Sequence, residues 1–214
     1  MDENPKCVQY SSAMAGIRER KKQRTRRALI EAALRLFAEK GYEETTLAEI
    51  AAEADVSTRT FFSYFASKED VLLHDIQTRM ERTIAIVATH APDEPLSDLL
   101  MRIVRDALGQ VADDEDYDAE KARVRIRLVT TVPGLQARAL RIMFANQLRL
   151  VQALEEAYRG RLGMVEAAAA VGALAGAAKL AIVASVERGD SMEEALAAAL
   201  RAAEISVRGL GSLT

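Results

Sequence analysis

The sequence predicts an all-α protein, with a small N-terminal three-helix domain of the helix-turn-helix type and a larger helical domain after it. Apolar residues recur at helical spacing through most of the 214-residue chain, and Ser or Thr followed three positions later by Glu marks helix starts. Hydrophobic residues make up 50% of the chain, which is enough to build a core. We expect residues 1–17 to be a disordered leader, residues 18–66 to form the first domain and residues 67–214 to form the second.

Two short helices joined by a tight turn are predicted after the first helix of this domain, with the turn at residues 54–56. Thr46 and Glu49 form the capping box that begins the earlier helix, and Ser57 is placed to cap the later one. Phe61 and Phe65 lie four residues apart and should fold inward. The outer face of the later helix then carries Thr58, Arg59, Phe62 and Ser63.

A guanidinium group, hydroxyls and an aromatic ring on one exposed helix face suit base edges and phosphates. The same pattern also fits an ordinary pair of amphipathic helices in a helical core. The preceding residues favour DNA binding, because seven of the ten residues from 18 to 27 are basic: Arg18, Arg20, Lys21, Lys22, Arg24, Arg26 and Arg27. A solvated face or a disordered arm is the alternative for this run. We include Arg24 and Ser57 among the predicted DNA contacts.

Ten residues stand where one known family has the same residue types: Phe37, Gly41, Thr46, Ile50, Ala51, Val56, Ser57, Phe65, Lys68 and Glu69. With them, residues 24–73 resemble the N-terminal DNA-binding domain of TetR-like transcriptional regulators. The resemblance implies that Thr46 and Lys68 bind phosphates and that Tyr64 touches the DNA backbone. It also implies that the major groove is faced by Thr58, Arg59 and Thr60. Phe62 departs from the family, which usually has a tyrosine there whose hydroxyl meets a phosphate.

In the second domain, one helix is predicted to run from Ser67 towards His90, and the next from residue 97 to 111. An acidic connector follows at residues 113–118. Clustered carboxylates can bind a divalent cation, but the run lacks the glycine and terminal glutamate of a calcium loop, so we assign no metal. Residues 123–129 alternate between polar and apolar, which alone favours a strand; Asp118 and Glu120 before them favour a helix start.

A long helix is predicted over residues 135–159, with apolar positions over too wide an arc for one neighbouring helix. Such a helix is central or lines a cavity. In folds of the resembled kind, pocket walls come from this helix and the two before it. The candidate ligand-binding residues are Met101, Arg127, Met143, Phe144 and Gln147, and the alternative is that most of them are plain core.

The last third of the chain is rich in alanine and glycine, which let helices approach closely. Glu166 and Lys179 interrupt its apolar run, so we expect helix packing rather than membrane insertion. Gly189 should end this helix, and Ser191 with Glu194 should box the next. The resemblance implies dimerisation through these last two helices, and the alternative is packing within one subunit. The predicted interface residues are Gly172, Gly176, Leu180, Leu196 and Leu200.

Composition excludes several classes of function. Cys7 is the single cysteine and cannot form an intrachain disulfide, and the N-terminal residues have no secretion pattern, so we expect a cytoplasmic protein. No catalytic constellation, nucleotide-binding loop, metal site or cofactor site is recognisable; an enzyme and a purely structural helical protein are the less favoured alternatives. We predict a homodimeric repressor that binds a palindromic DNA operator and responds to an unidentified small molecule. An activator, or a regulator without an effector, stays open.

Overall fold

The computed structural model describes residues 5–112 and 118–209, and within these ranges all regular elements are helices. This agrees with the predicted all-α class. Contacts divide the chain into two compact units, Met1–His74 and Asp75–Thr214. Residues 67–74 are thus grouped with the N-terminal unit, whereas we predicted that the second domain begins at residue 67. The reason is burial, since Val71 and Leu72 are almost fully enclosed.

The N-terminal unit consists of α1 (Pro5–Lys40), α2 (Leu47–Glu53), α3 (Thr58–Phe62) and α4 (Lys68–Leu73). Helix α1 includes residues 5–17, which we predicted to be disordered. Proline fits the first turn of a helix because it lacks only an N–H that has no helical partner there. After Pro5 this stretch has no further proline and a single glycine, so little in it interrupts a helix.

The core of this unit is built from apolar side chains of all four helices. Leu29, Ile50 and Phe61 are fully buried, and the rings of Phe61 and Phe65 lie 5.7 Å apart between centroids. The inward orientation predicted for both phenylalanines is confirmed. The predicted turn is also confirmed: Asp55 adopts a φ of 53°, a left-handed conformation that Asp tolerates better than most residues. Helix α3 is therefore held with its opposite face outward.

The second unit consists of α5 (Ile76–Ala88), α6 (Leu96–Ala112), α7 (Ala119–Thr131), α8 (Pro133–Ala157), α9 (Met164–Arg188) and α10 (Met192–Gly209). The single helix predicted from Ser67 towards His90 is wrong, because the chain breaks between α4 and α5. At the break the His74 carbonyl accepts a hydrogen bond from Arg26 Nη2 at 3.1 Å. The next residue, Asp75, binds Arg79 and Arg125 through its carboxylate.

Residues 123–129 are helical, as predicted, and form part of α7. Asp118 caps this helix by accepting from the N–H groups of Glu120 and Lys121 at 3.0 and 3.1 Å. These bonds hold the pKa of the Asp118 carboxyl below its usual range. Most of the predicted acidic connector, residues 113–117, lies outside the described residues.

The apolar core of the second unit is concentrated on α6, the C-terminal half of α8 and the first half of α9. Its members include Leu99, Leu100, Leu154 and Val171. Helix α7, by contrast, contains no fully buried side chain. The packing is therefore dense at one end of this unit and looser around α7.

Helices α9 and α10 are joined by the predicted break and capping box. Gly189 has a φ of 83°, and the Ser191 N–H donates to Glu194 while the Glu194 N–H donates to the Ser191 hydroxyl. Helix α9 is long and apolar enough to cross a membrane, a test that core helices of globular proteins also pass. Only 22% of its most apolar stretch is buried. Much of its apolar surface is therefore exposed in the single chain.

Candidate nucleic-acid interface

The start of α2 is held by the predicted capping box. The Thr46 hydroxyl accepts from the Glu49 N–H at 3.2 Å, and the Glu49 carboxylate accepts from the Thr46 N–H and hydroxyl, both at 2.9 Å. Lys40 binds the other oxygen of the same carboxylate. The polar hydrogens of Thr46 are therefore already directed at Glu49, and a phosphate would compete with that carboxylate for them.

This network makes the stability of the N-terminal unit depend on pH. The hydrogen bond from Lys40, followed by those from Thr46, lowers the pKa of Glu49 to about 2. Because the pKa is lower in the folded state, the stabilisation is complete above the unfolded value of about 4.3 and is lost as the pH falls towards 2.

We expect Glu49→Gln to be less stable than the parent at pH 6, and the difference to shrink as the pH is lowered to 3. Urea denaturation followed by circular dichroism at the two pH values measures this change. Glu43→Gln, at an exposed position nearby, serves as the control. A stability difference for Glu49→Gln that does not vary with pH would contradict the network.

Helix α3 presents the predicted recognition face. Ser57 caps the helix by accepting from the Thr60 N–H at 3.1 Å, and the two hydroxyls lie 2.9 Å apart. The Ser63 hydroxyl donates to the Thr60 carbonyl at 2.6 Å. The hydroxyls of Ser57, Thr60 and Ser63 therefore make hydrogen bonds within α3 and its caps. Thr60 and Tyr64 are half-buried, whereas the exposed side chains of the face belong to Thr58, Arg59, Phe62 and Ser63.

Arg59 is the one cation on this face. Within the described part of the chain its guanidinium makes no hydrogen bond or ion pair. Phe62 is 56% exposed and packs edge-on against Phe61, with 5.8 Å between ring centroids. Among the described residues, the face therefore offers a guanidinium without a partner and, three positions later in α3, an exposed ring that packs on the buried Phe61.

Lys68 is directed at the protein itself. Its ammonium donates to the carbonyls of Tyr42, Thr45 and Glu43 at 2.8, 3.4 and 3.5 Å, and it lies 4.2 Å from the centroid of the Tyr42 ring. All three partners belong to the loop that leads into α2. Lys68 therefore positions this loop, and its predicted phosphate contact stays a prediction.

Two measurements separate these roles of Lys68. We expect Lys68→Met to lower the free energy of unfolding of the N-terminal unit by about 1.5 to 3 kcal/mol, because charged hydrogen bonds to the loop are lost. If Lys68 also contacts a phosphate, its loss in this variant should lower the salt dependence of DNA binding by about 0.9 logarithmic units per subunit. Urea denaturation and titrations at several salt concentrations provide the two readouts. Unchanged stability would exclude the positioning role.

Two contacts between distant segments of the N-terminal unit were not predicted from the sequence. The Tyr42 hydroxyl donates to Glu69 at 2.6 Å, and the guanidinium of Arg26 lies 5.8 Å from the Phe65 ring centroid. In the sequence, Arg26 was only one member of the basic run at residues 18–27. In the structure its side chain also fixes the position of α1. Arg24 is exposed, as a DNA contact requires. No local pattern marks these partners because they lie far apart in the chain.

The five candidate ligand residues lie in different environments. Met101 belongs to the apolar core, Met143 and Gln147 are half-buried, Arg127 is exposed, and Phe144 is 64% exposed. A cavity of about 240 Å³ is lined by other residues, namely Leu96, Tyr158, Arg161 and Leu162. Burial raises the pKa of Tyr158, whose hydroxyl donates to the Glu94 carbonyl at 3.0 Å. The predicted ligand site stays a prediction.

Asn146 is a candidate site residue that was not predicted from the sequence. It lies on the inner face of α8 and is only 8% exposed, and no hydrogen bond to its side-chain amide is found among the described residues. A buried amide without a partner costs free energy and calls for an explanation. Its spacing from Ile142 and Leu150, four residues away on either side, was the available signal, because it places a polar group within an apolar stripe.

The predicted interface residues differ in exposure. Gly172 and Leu180 are exposed, Gly176 and Leu196 are half-buried, and Leu200 packs partly against the core of its own chain. A Cβ built at Gly172 or Gly176 meets no heavy atom within 4 Å, so the chain itself does not require glycine there. The structure adds exposed apolar side chains that we did not predict, including Val165 on α9 and Ile205 on α10.

A capped, outward-facing helix after a tight turn, held on the apolar core of the N-terminal unit, is the arrangement of a helix-turn-helix DNA-binding domain. Residues 29–74 match the family described as bacterial regulatory proteins, tetR family. The chain is 41% identical over 128 residues to the HTH-type transcriptional regulator TcmR of Streptomyces glaucescens, covering 59% of this chain and 57% of that protein. It is 36% identical over 77 residues to the HTH-type transcriptional regulator BetI of Agrobacterium fabrum, covering 34% and 37%. Both alignments span less than two thirds of the relative.

Solved structures share the fold. The SmeT–triclosan complex matches with a TM-score of 0.61 at 19% identity, over 86% of this chain and 90% of that one. SmeT is described as the repressor of a multidrug efflux pump of Stenotrophomonas maltophilia. The fatty acid degradation regulator FadR of Bacillus halodurans matches with a TM-score of 0.57 at 21% identity, over 87% and 96%. Residues 29–74 thus match the DNA-binding domain of the tetR family of bacterial regulatory proteins, and the chain as a whole shares the fold of these solved structures.

Proposed function

We propose that this chain is a cytoplasmic, homodimeric transcriptional repressor that binds a palindromic DNA operator and leaves it when a small molecule enters the second unit. The observation that carries the proposal is the outer face of α3, where the described residues leave the Arg59 guanidinium without a partner and the Phe62 ring exposed. Arginine pairs with guanine in the major groove, and an apolar ring suits a thymine methyl. We assign it no catalytic activity.

Dimerisation is supported by the surface of α9. Gly172 is exposed and Gly176, one turn later, is half-buried, and a Cβ built at either position meets no described heavy atom of another segment within 4 Å. Val165 and Leu180 flank them as large exposed apolar residues. Small residues between larger ones let two helices approach closely, so a second copy of α9 accounts for both the exposure and the glycines.

An effector is supported by the packing around α7 and α8. Helix α7 has no fully buried side chain, and the buried Asn146 amide lacks a partner in the described residues. A small molecule with a hydrogen-bonding group that binds beside Asn146 would satisfy this amide. If it binds better to a dimer with a different spacing of the two α3 helices, it must weaken DNA binding, and DNA must weaken its binding by the same factor.

Selection of bound sequences from random duplex DNA tests the proposal. We expect an inverted repeat whose half-sites lie one helical turn apart, about 34 to 36 Å, or a multiple of it. A screen for small molecules that release the selected duplex follows. Failure to enrich any sequence would refute the DNA-binding function. Enrichment without release by any ligand would leave a regulator without an effector, and increased transcription from the selected site would indicate an activator.

A further inference from the structure

The segment that matches the family model, called here the family domain, has a net negative charge, which opposes binding to a polyanion such as DNA. Residues 29–74 contain four basic and nine acidic residues, which gives a net charge of −5. Non-specific DNA affinity comes from basic residues that replace the counterions of phosphates. The residues of the family domain therefore repel a duplex on balance.

Three of the four cations in this domain are already engaged. Arg35 pairs with Glu53 and Lys40 pairs with Glu49. Lys68 donates to three loop carbonyls, as described above. Among the described residues of the domain, this leaves Arg59, which lies on the face that reads bases.

The residues immediately before the family domain have the opposite charge. Residues 18–27 contain seven basic residues and one acidic residue, a net charge of +6, and we call this segment the basic extension. Every side chain from Arg18 to Arg24 is exposed, and Leu29 is the first buried side chain of α1 among the described ones. Arg26 anchors the end of the basic extension through the His74 carbonyl. The exposed part therefore continues beyond the packed core by roughly 10 Å.

The cations surround the helix rather than forming one stripe. At about 100° per residue, Arg18 and Lys22 lie on one side and Arg20 and Arg24 on nearly the opposite side. Each pair is also four residues apart, where like charges destabilise a helix. This arrangement has no face for packing against protein, and an anionic partner on both sides would relieve the repulsion.

We propose that the basic extension, which precedes the family domain, is a second DNA-binding element that supplies most of the phosphate contacts, while α3 reads the bases. The inference rests on the proposed function. Duplex DNA presents two rows of phosphates and can neutralise cations on both sides of a helix. A lipid surface fits less well, because residues 18–24 contain no apolar side chain to enter a bilayer.

The test uses the full-length protein with three substitutions, Lys21→Gln, Lys22→Gln and Arg24→Gln. The matched control replaces three exposed cations of the second unit, Arg82, Arg105 and Arg141, by Gln. We expect the dependence of the logarithm of affinity on the logarithm of salt concentration to fall by roughly 5 units per dimer in the first variant, at about 0.9 per phosphate contact. The control should retain the parental slope. Circular dichroism and sedimentation verify that both variants fold and associate like the parent.

The outcomes separate this inference from the proposed function. If the parent protein selects a DNA sequence but the first variant keeps the parental salt slope, the basic extension is not a DNA-binding element. If the parent selects no sequence, the proposed function itself fails. In another outcome, the parent protein binds vesicles with anionic lipids and the first variant loses that binding, while the salt slope for DNA is unchanged. This result would show that the basic extension binds a membrane surface and not DNA. A lowered slope with the same selected sequence supports the inference.

Discussion

Gly176→Leu is expected to produce a folded monomer that has lost operator affinity by a factor of roughly 10² to 10⁴, because two linked half-site contacts gain from a high effective concentration. The fold should persist, since a Cβ at this position meets no described heavy atom outside its own stretch of α9 within 4 Å. The added side chain would instead separate α9 from a second copy of itself. Each monomer should keep its weak, salt-sensitive binding to a half-site.

Sedimentation gives the association state of the Gly176→Leu variant, circular dichroism its helix content, and titration of a two-half-site duplex its affinity. Ala107→Leu, which adds three apolar carbon atoms instead of four at an exposed position of α6, is the control and should remain dimeric. A helical Gly176→Leu protein that stays dimeric with unchanged affinity would place the interface elsewhere. The exposed stripe of α8, formed by Leu140, Phe144 and Leu148, would then be the next surface to test.

Arg59→Ala should weaken binding to the selected operator by about 1 to 3 kcal/mol for each half-site and relax selectivity at one base pair. The physical reason is the planar guanidinium, which pairs with two acceptors of guanine at once. Arg59 is exposed and makes no hydrogen bond or ion pair within the described residues, so its removal should leave the fold unchanged.

Repeating the selection from random DNA with the Arg59→Ala variant shows which base pair is affected. Arg59→Lys retains the charge but not the planar pair of donors, so it should keep the parental salt dependence without keeping full selectivity. Arg82→Ala, at an exposed arginine of the second unit, provides the control. An equal loss on every sequence would show that Arg59 contacts the DNA backbone rather than a base.

Several elements could be predicted from the sequence because short-range interactions decide them. The capping boxes at Thr46 and Ser191, the turn at Asp55 and the inward rings of Phe61 and Phe65 all depend on residues within five positions of one another. Helical spacing also outweighed the alternation in residues 123–129, since a strand needs a partner strand and a helix does not. The resemblance to the TetR family rests on these same local features.

The sequence by itself therefore determined the helix class, most helix ends and the outer face of α3. Only the tertiary structure decided which groups remain available for a partner. The Lys68 ammonium binds carbonyls 23 to 26 positions away, and Arg26 binds a carbonyl 48 positions away, so neither is a simple surface charge. The same long-range packing leaves the Asn146 amide buried with no partner among the described residues, and it splits α4 from α5. Such contacts depend on how distant segments of the chain pack together, and neither the local periodicity nor the helix caps carry information about that packing.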